Sequence, residues 1–391
     1  MRKLQVLFLA LTAAACGGGD GGSGVSRLAI EPGATLVTAV GNSVAFEVAA
    51  YDASGRTVSS SGAAWVTPDP EVATVSTAGV VTAAGSGVAR VIAELDGVAD
   101  TATFEVWLAP ETSVYEPGTQ YLGRQGYVEY VPGTLPVVIS APHGGALEPD
   151  EIPDRSYGTV VTDSYTAETL LAVRQAFLER TGHAPHVVIS HLRRTKLDPN
   201  REIVEAAQGN PFAENAWEEF QRFIEVASDQ VATDFGAGLY LDLHGHGHPV
   251  HRVELGYLLS GSNLNMADGS LDVGPYAAAS SMAALAARSP LSFSVLLRGE
   301  TSFGGFLEDA GVRSVPSPGD PSPGQDSYFS GGYNTLRHGS REGGTVDGIQ
   351  LELHRVGLRD TDSNRRAFGR ALASTVEGFM LEHYGFFHDG G

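Results

Sequence analysis

The sequence predicts a multidomain protein of mixed class. An all-β sandwich is expected over residues 25–108, followed over 109–391 by an α/β domain with a mixed, mostly parallel sheet flanked by helices. Three observations predict it. The chain has 391 residues, more than one ordinary domain needs and ample for a large core. Up to about residue 107, short alternating runs recur between Gly, Pro, Asp and Ser turns. Beyond it, apolar strands alternate with amphipathic helical stretches.

Taken in order, Arg2 and Lys3 precede the apolar run "LQVLFLALTAAA", which is too short to span a bilayer as a mature helix and fits an export signal. The run ends in small residues followed by Cys16, the only cysteine of the chain. "LTAAAC" resembles a bacterial lipobox, in which the cysteine is acylated and becomes the mature N-terminus. A plain signal peptide that happens to contain Cys is the alternative. With one cysteine no disulfide can form within the chain. "GGGDGGSG" then reads as a flexible tether, so residues 1–24 make a lipoprotein signal and linker. The implied address is the bacterial cell envelope, with membrane contact through the lipid alone. No later stretch is long and apolar enough to span a membrane. Acidic residues outnumber basic ones by 46 to 25, a net charge of −21, which argues against nucleic acid as a partner.

In residues 25–108, "SVAFEVAAY", "GVARVIAEL" and "TATFEVW" are the clearest strands. The string "AAWVTPDPEVATVSTAGVVTAAGSGVARVIAEL" resembles a bacterial Ig-like domain of group 2. The resemblance implies a spacer or adhesive module, here read as a spacer, with Trp65 as its inter-sheet core aromatic.

In the second domain "LPVVISA", "HVVISHL", "GLYLDLH" and "GIQLELHRV" read as strands. "SYTAETLLAVRQAFLER", "AENAWEEFQRFIEVASDQVATDF" and "NRRAFGRALASTVEGFMLEHY" read as helices, with "YAAASSMAALAAR" and "LSFSVLLRG" as further elements between them. In open α/β sheets ligands gather at the carboxyl ends of the strands, and there this sequence places its unusual residues. "VVISAPHGG" delivers His143. "ISHLRRTKLDPNR" delivers Arg193, Arg194, Asp198, Asn200 and Arg201. "LYLDLHGHGH" delivers Asp242, His244, His246 and His248, and "IQLELHR" carries Glu352 inside an apolar run. Each has a bland reading: a hydrogen-bonded structural histidine, or a glutamate on a half-exposed strand. Convergence on one sheet edge favours chemistry.

"PHGG", the Asp of "VVTDSYT", "DPNR", "DLHG", "GGYNTLRHG" and "IQLEL" occur in an order that resembles the N-formylglutamate amidohydrolase family. That family is similar in architecture to zinc carboxypeptidases and aspartoacylases, a phosphorylase/hydrolase-like fold. The resemblance implies one Zn2+ per chain, or another divalent ion, held by His143, His244 and a carboxylate. Asp163 matches the family position, although an Asp just before a helix is also a typical N-cap. Glu148, five residues after His143, is the alternative carboxylate. A hydrolytic zinc keeps a coordination position open, acidifying water and polarising the scissile carbonyl. Glu352 then fits the general base. Asp242 either orients an imidazole or satisfies backbone amides. His246 and His248 are read as lining or supporting residues, or as solvent-exposed. His143 and His244 must lie within about 7 Å for one ion to bridge them.

Asn200 and Arg201 resemble a pair that grips a substrate carboxylate, with Asp198 beside them, since a guanidinium matches a carboxylate in a bidentate fork. Arg194 is expected at the developing charge on the carbonyl oxygen, and Arg337 and His338 are expected to add polar substrate contacts. The activity implied is hydrolysis of an amide bond in a small molecule or peptide with a free carboxylate, such as an N-acyl or N-formyl amino acid. A carboxypeptidase-like, poly-γ-glutamate or cell-wall peptide hydrolase is one alternative. A non-catalytic surface adhesion protein is another.

Overall fold

The structure, a computed structural model, describes residues 24–109 and 114–387. Cys16 and the glycine-rich tether lie outside the described residues. The chain divides into two compact units, Met1–Val106 and Trp107–Gly391.

The first unit is strand-rich. Arg27–Glu31 pairs antiparallel with Glu47–Tyr51, which pairs with Thr57–Val58. A four-stranded sheet runs in the order Ala34–Val37, Val98–Val106, Gly87–Leu95, Ala64–Val66. A third sheet holds Ser43–Ala45, Val80–Ala83 and Ala73–Val75. Alternation sets the faces: Ala89, Val91 and Ala93 are buried while Arg90 and Glu94 face solvent. The central aromatic pair is Phe46 with Phe104, edge-on at 6.3 Å. That corrects the expectation for Trp65. Its strand is the last of the four-stranded sheet, so the ring is only half-buried and lies against Gly79.

In the second unit eight strands form one mixed sheet: β1 (Tyr121–Leu122), β2 (Val128–Val131), β3 (Val137–Ala141), β4 (His186–Ser190), β5 (Gly238–His246), β6 (Val253–Gly256), β7 (Ser314–Val315) and β8 (Val346–His354). Their order is β1-β2-β4-β3-β5-β8-β6-β7. The central strands β4, β3, β5 and β8 run parallel, whereas β2 and β6 run antiparallel to their inner neighbours. Every residue of β3, β4 and β8 is buried, whichever face it points to. Such strands must be covered on both sides, hence their nearly continuous apolar runs. Each fully buried Val, Leu or Ile contributes about 1.5–3 kcal/mol relative to exposure.

Three long helices supply the cover: α1 (Thr166–Thr181), α2 (Pro211–Phe235) and α3 (Asp362–Tyr384). Helix α1 packs against α3, and α2 lies along β2 to β5. Their ends are written in the sequence. Asn210 accepts hydrogen bonds from the Phe212 and Ala213 amides at 3.1 and 3.0 Å, Pro211 opens α2, and Gly236 closes it at φ 78°. Between β6 and β8 the expected alternation fails. The chain there makes only short helices, the longest Phe303–Asp309, and the two-residue β7. Among the described residues no helix is long and apolar enough to cross a membrane. The parallel core sets the carboxyl ends of β3, β5 and β8 side by side, with His244 in register with Glu352.

Candidate metal centre and active site

His143 leaves the end of β3, His244 sits near the end of β5, and Asp163 precedes α1. Three of their atoms converge. The Nδ1 atoms of His143 and His244 are 3.1 Å apart, and each lies 3.3 Å from Oδ2 of Asp163. This is far inside the reach of one ion. All three residues are buried.

The outer nitrogens explain why. Nε2 of His143 is 2.6 Å from Oδ1 of Asp198, and Nε2 of His244 is 2.8 Å from Oδ2 of Asp242. A carboxylate accepts only, so each Nε2 carries the proton and each Nδ1 turns a lone pair inward. Two lone pairs and a carboxylate oxygen then face one another. A single proton can satisfy one edge of that triangle; a cation at its centre satisfies all three. Ligand atoms about 2.0–2.1 Å from a tetrahedral ion stand about 3.3 Å apart. The donor set and its spacing therefore fit a divalent ion with a coordination position to spare.

The electrostatics point the same way. Burial opposes ionisation of Asp163, yet His143 and His244 hold its carboxyl far below the usual range. Asp198 is likewise held down, against burial, by His143, Arg194 and Arg201. Burial disfavours a charged His244, but Asp242 and Asp163 raise it well above an ordinary histidine. This cavity is built to hold positive charge.

Glu352 lies beside His244 in register on β8, with Gln350 donating to its Oε1 at 2.9 Å. It is 5% exposed. Burial pushes its carboxyl up to about 8; His244 opposes the rise, while Asp163, Glu254 and Asp242 add to it. A carboxyl poised near neutrality suits a group that takes and returns a proton.

Several residues stand elsewhere than expected. Asp163 is not a helix cap. The residue at the start of α1 is Tyr165, left-handed at φ 70° with no side-chain cap. Glu148 is exposed and paired with Arg193 at 2.6 Å, apart from the triangle. Asp198 is fully buried against His143, with Oδ1 2.6 Å from its Nε2, a contact that orients the imidazole. Arg194 donates from Nε to Asp198 at 3.0 Å and lies 3.6 Å from Asp163, bracing both carboxylates. Asn200 is committed too: its Oδ1 accepts the Asn334 amide at 2.8 Å, which docks the "GGYNTLRHG" segment. Arg201 is a third exposed and 3.3 Å from Glu205. Arg337 pairs with Glu225 of α2 at 2.7 Å, and His338 is buried 2.6 Å from Gln221. Neither touches the triangle. His246 is buried, donating from Nε2 to the Arg252 carbonyl at 2.8 Å.

One supporting residue escaped the sequence reading. Arg359 is buried and donates to the backbone carbonyls of Ser164, Leu353 and His246. It thereby ties the Asp163 loop to β5 and β8. A side chain at Gly245 would meet its guanidinium at 2.4 Å. The glycine between two histidines was the available signal, since glycine inside a strand marks a close approach. The Gly245 amide in turn donates to Oδ2 of Asp163 at 3.2 Å.

No family model matches the sequence, and no curated protein matches it. Solved structures do, distantly. N-formylglutamate amidohydrolase from Ralstonia eutropha JMP134 is 13% identical over 68% of this chain and 97% of that one, with a TM-score of 0.38. A gene product of Agrobacterium tumefaciens is 15% identical over 66% and 95%, with a TM-score of 0.37. The apo N-acetylmuramyl-L-alanine amidase of Mycobacterium abscessus is 13% identical over 62% and 98%, with a TM-score of 0.30. Likenesses this distant carry no weight for the chemistry, which stands on the side chains.

Proposed function

We propose that this chain is an exported, lipid-anchored metallohydrolase that cleaves an amide bond in a small carboxylate-bearing substrate of the N-acyl or N-formyl amino acid type. One observation carries the reading: the closed triangle of His143 Nδ1, His244 Nδ1 and Asp163 Oδ2, with both outer nitrogens held by buried carboxylates. The ordered sequence motifs support it.

When bound, a divalent ion, zinc by preference, supplies a Lewis acid for the carbonyl and lowers the pKa of water beside it. The remaining work belongs to the chain. Glu352 takes the proton from the attacking water at a carboxylate oxygen. The water oxygen bonds to the carbonyl carbon, the C–N bond breaks, and the proton passes to the departing amine. Asp198 and Asp242 keep Nε2 protonated on His143 and His244, and Arg194 holds Asp198 and Asp163 in place. Of the cationic groups assigned to substrate, Arg201 and Arg337 are the ones with exposed surface left to meet a carboxylate.

Residues 25–108 are assigned as an Ig-like spacer and Cys16 as the lipid attachment point at the cell envelope. Zinc analysis of the purified protein, followed by amide-hydrolysis assays on acyl amino acids and γ-linked peptides, tests the enzyme. About one or more zinc ions per chain and chelator-sensitive turnover are expected. A metal-free, inert protein would favour a surface adhesin instead.

A further inference from the structure

The histidines beyond His244 form a second cluster. His246 ends β5, His248 follows in the loop, and Glu254 lies on β6. Oε1 of Glu254 is 2.8 Å from Nδ1 of His248 and 3.8 Å from Nδ1 of His246. Its other oxygen accepts the Phe329 amide at 2.8 Å. Glu254 is fully buried. Among the described residues its only ion-pair partners are these two imidazoles, with no Lys or Arg in reach. A buried carboxylate without a strong positive partner is costly.

The tautomer logic of the first triangle recurs. His246 Nε2 donates to the Arg252 carbonyl, so its Nδ1 carries the lone pair on the Glu254 side. The His248 ring is stacked on Phe329, centroids 4.7 Å apart, which fixes its plane. Spacings of 2.8 and 3.8 Å straddle the roughly 3.3 Å expected between ligands of one ion. An ion must displace two contacts: the His248 amide, 3.2 Å from His246 Nδ1, and the hydrogen bond of 2.8 Å between His248 Nδ1 and Glu254 Oε1, whose proton it expels.

We propose that His246, His248 and Glu254 form a second divalent-cation site, selective for a borderline ion such as Zn2+. It is separate from the first: His244 and His246 are two residues apart on one strand, about 6–7 Å by strand rise. Bridged two-metal sites span about 3.5–4 Å. The looser spacing makes it the weaker of the two.

The test is zinc titration of the full chain by calorimetry, with elemental analysis of the dialysed protein. The wild type is expected to take two zinc ions, a tight one and a weaker one. Glu254→Gln should take one, and His248→Ala, altered at a half-exposed loop position, should give the same loss in a chain whose circular dichroism is unchanged. Asp163→Asn should also take one, retaining the weaker event. Wild type saturating at one ion, or two ions surviving both Glu254→Gln and His248→Ala, overturns the proposal. If Asp163→Asn kept both ions, the first site would fail and the second would stand.

Discussion

Glu352 and the carboxylates behind the two imidazoles make separable demands. Replacing Glu352 by Gln keeps shape and removes the proton acceptor. Turnover should fall by about 10²–10⁴-fold with zinc content unchanged; loss of the zinc would recast Glu352 as a ligand. Asp198→Asn leaves His143 in place but weakens the partner that fixes its tautomer. Zinc affinity should drop by about 10–100-fold, read by competition with a chromophoric chelator. Protons couple to this binding. Asp242 and Asp163 keep His244 charged well above its ordinary value in the absence of an ion. An ion at Nδ1 must therefore expel a proton, so affinity falls as pH falls. Calorimetry in buffers of different ionisation enthalpy should report at least one proton released per tight ion. No release would mean that His244 is neutral, with its Nδ1 lone pair already free, before the ion binds. The sequence made His143, His244 and Glu352 legible because chemically costly residues stood at strand ends. It could not separate ligand from support among Asp163, Asp198 and Asp242, since that depends on which nitrogen each carboxylate meets.

At the scale of elements, the parallel core was legible for a plain reason: strands buried on both faces read as nearly continuous apolar runs, and β3, β4, β5 and β8 do, broken by polar residues such as Asp242, His244 and Glu352. The end of α2 at Phe235 was equally plain, while its start was read two residues late, at Ala213, although Asn210 and Pro211 mark it. Strand β6 was not, because "VELG" is four residues long and carries the buried Glu254. The short helices Gly261–Leu264, Asp268–Val273 and Phe303–Asp309 also escaped, while Tyr276–Ala279, Ala283–Arg288 and Phe293–Arg298 fall in stretches read only as further elements, as four to seven residues hold too few turns for a periodic pattern. The "HGH" turn of β5 offers the sharpest test of local packing. Gly245→Ala sets a methyl group against a guanidinium pinned by three carbonyls. A loss of about 1–3 kcal/mol in unfolding free energy is expected. Zinc binding should weaken as well, because the Gly245 amide also holds Asp163. A melting temperature equal to wild type would sink this account of the glycine.

Over the whole molecule, the division into a strand-rich unit and a larger α/β unit follows the change of hydrophobic period near residue 107. The second unit also buries His186, which lies outside both histidine clusters and couples stability to pH. Burial pushes His186 down to about 4, and the Tyr130 hydroxyl lies 2.9 Å from its Nδ1. In the unfolded chain it titrates near 6.5. The unfolded state therefore binds the proton first, and stability present above pH 6.5 is lost as pH falls toward 4. For His186 alone the loss at pH 4.5 is about 2–3 kcal/mol. Urea midpoints should fall between pH 7 and 4.5, and less steeply in His186→Asn. Equal slopes would remove His186 from the explanation.

The central claim is that one divalent ion sits among His143, His244 and Asp163. Anomalous diffraction at the zinc edge, on crystals of the zinc-loaded protein, measures it most directly. The account predicts a peak about 2.0–2.1 Å from Nδ1 of both histidines and from a carboxylate oxygen of Asp163. No peak there, or an ion held through either Nε2, would contradict it.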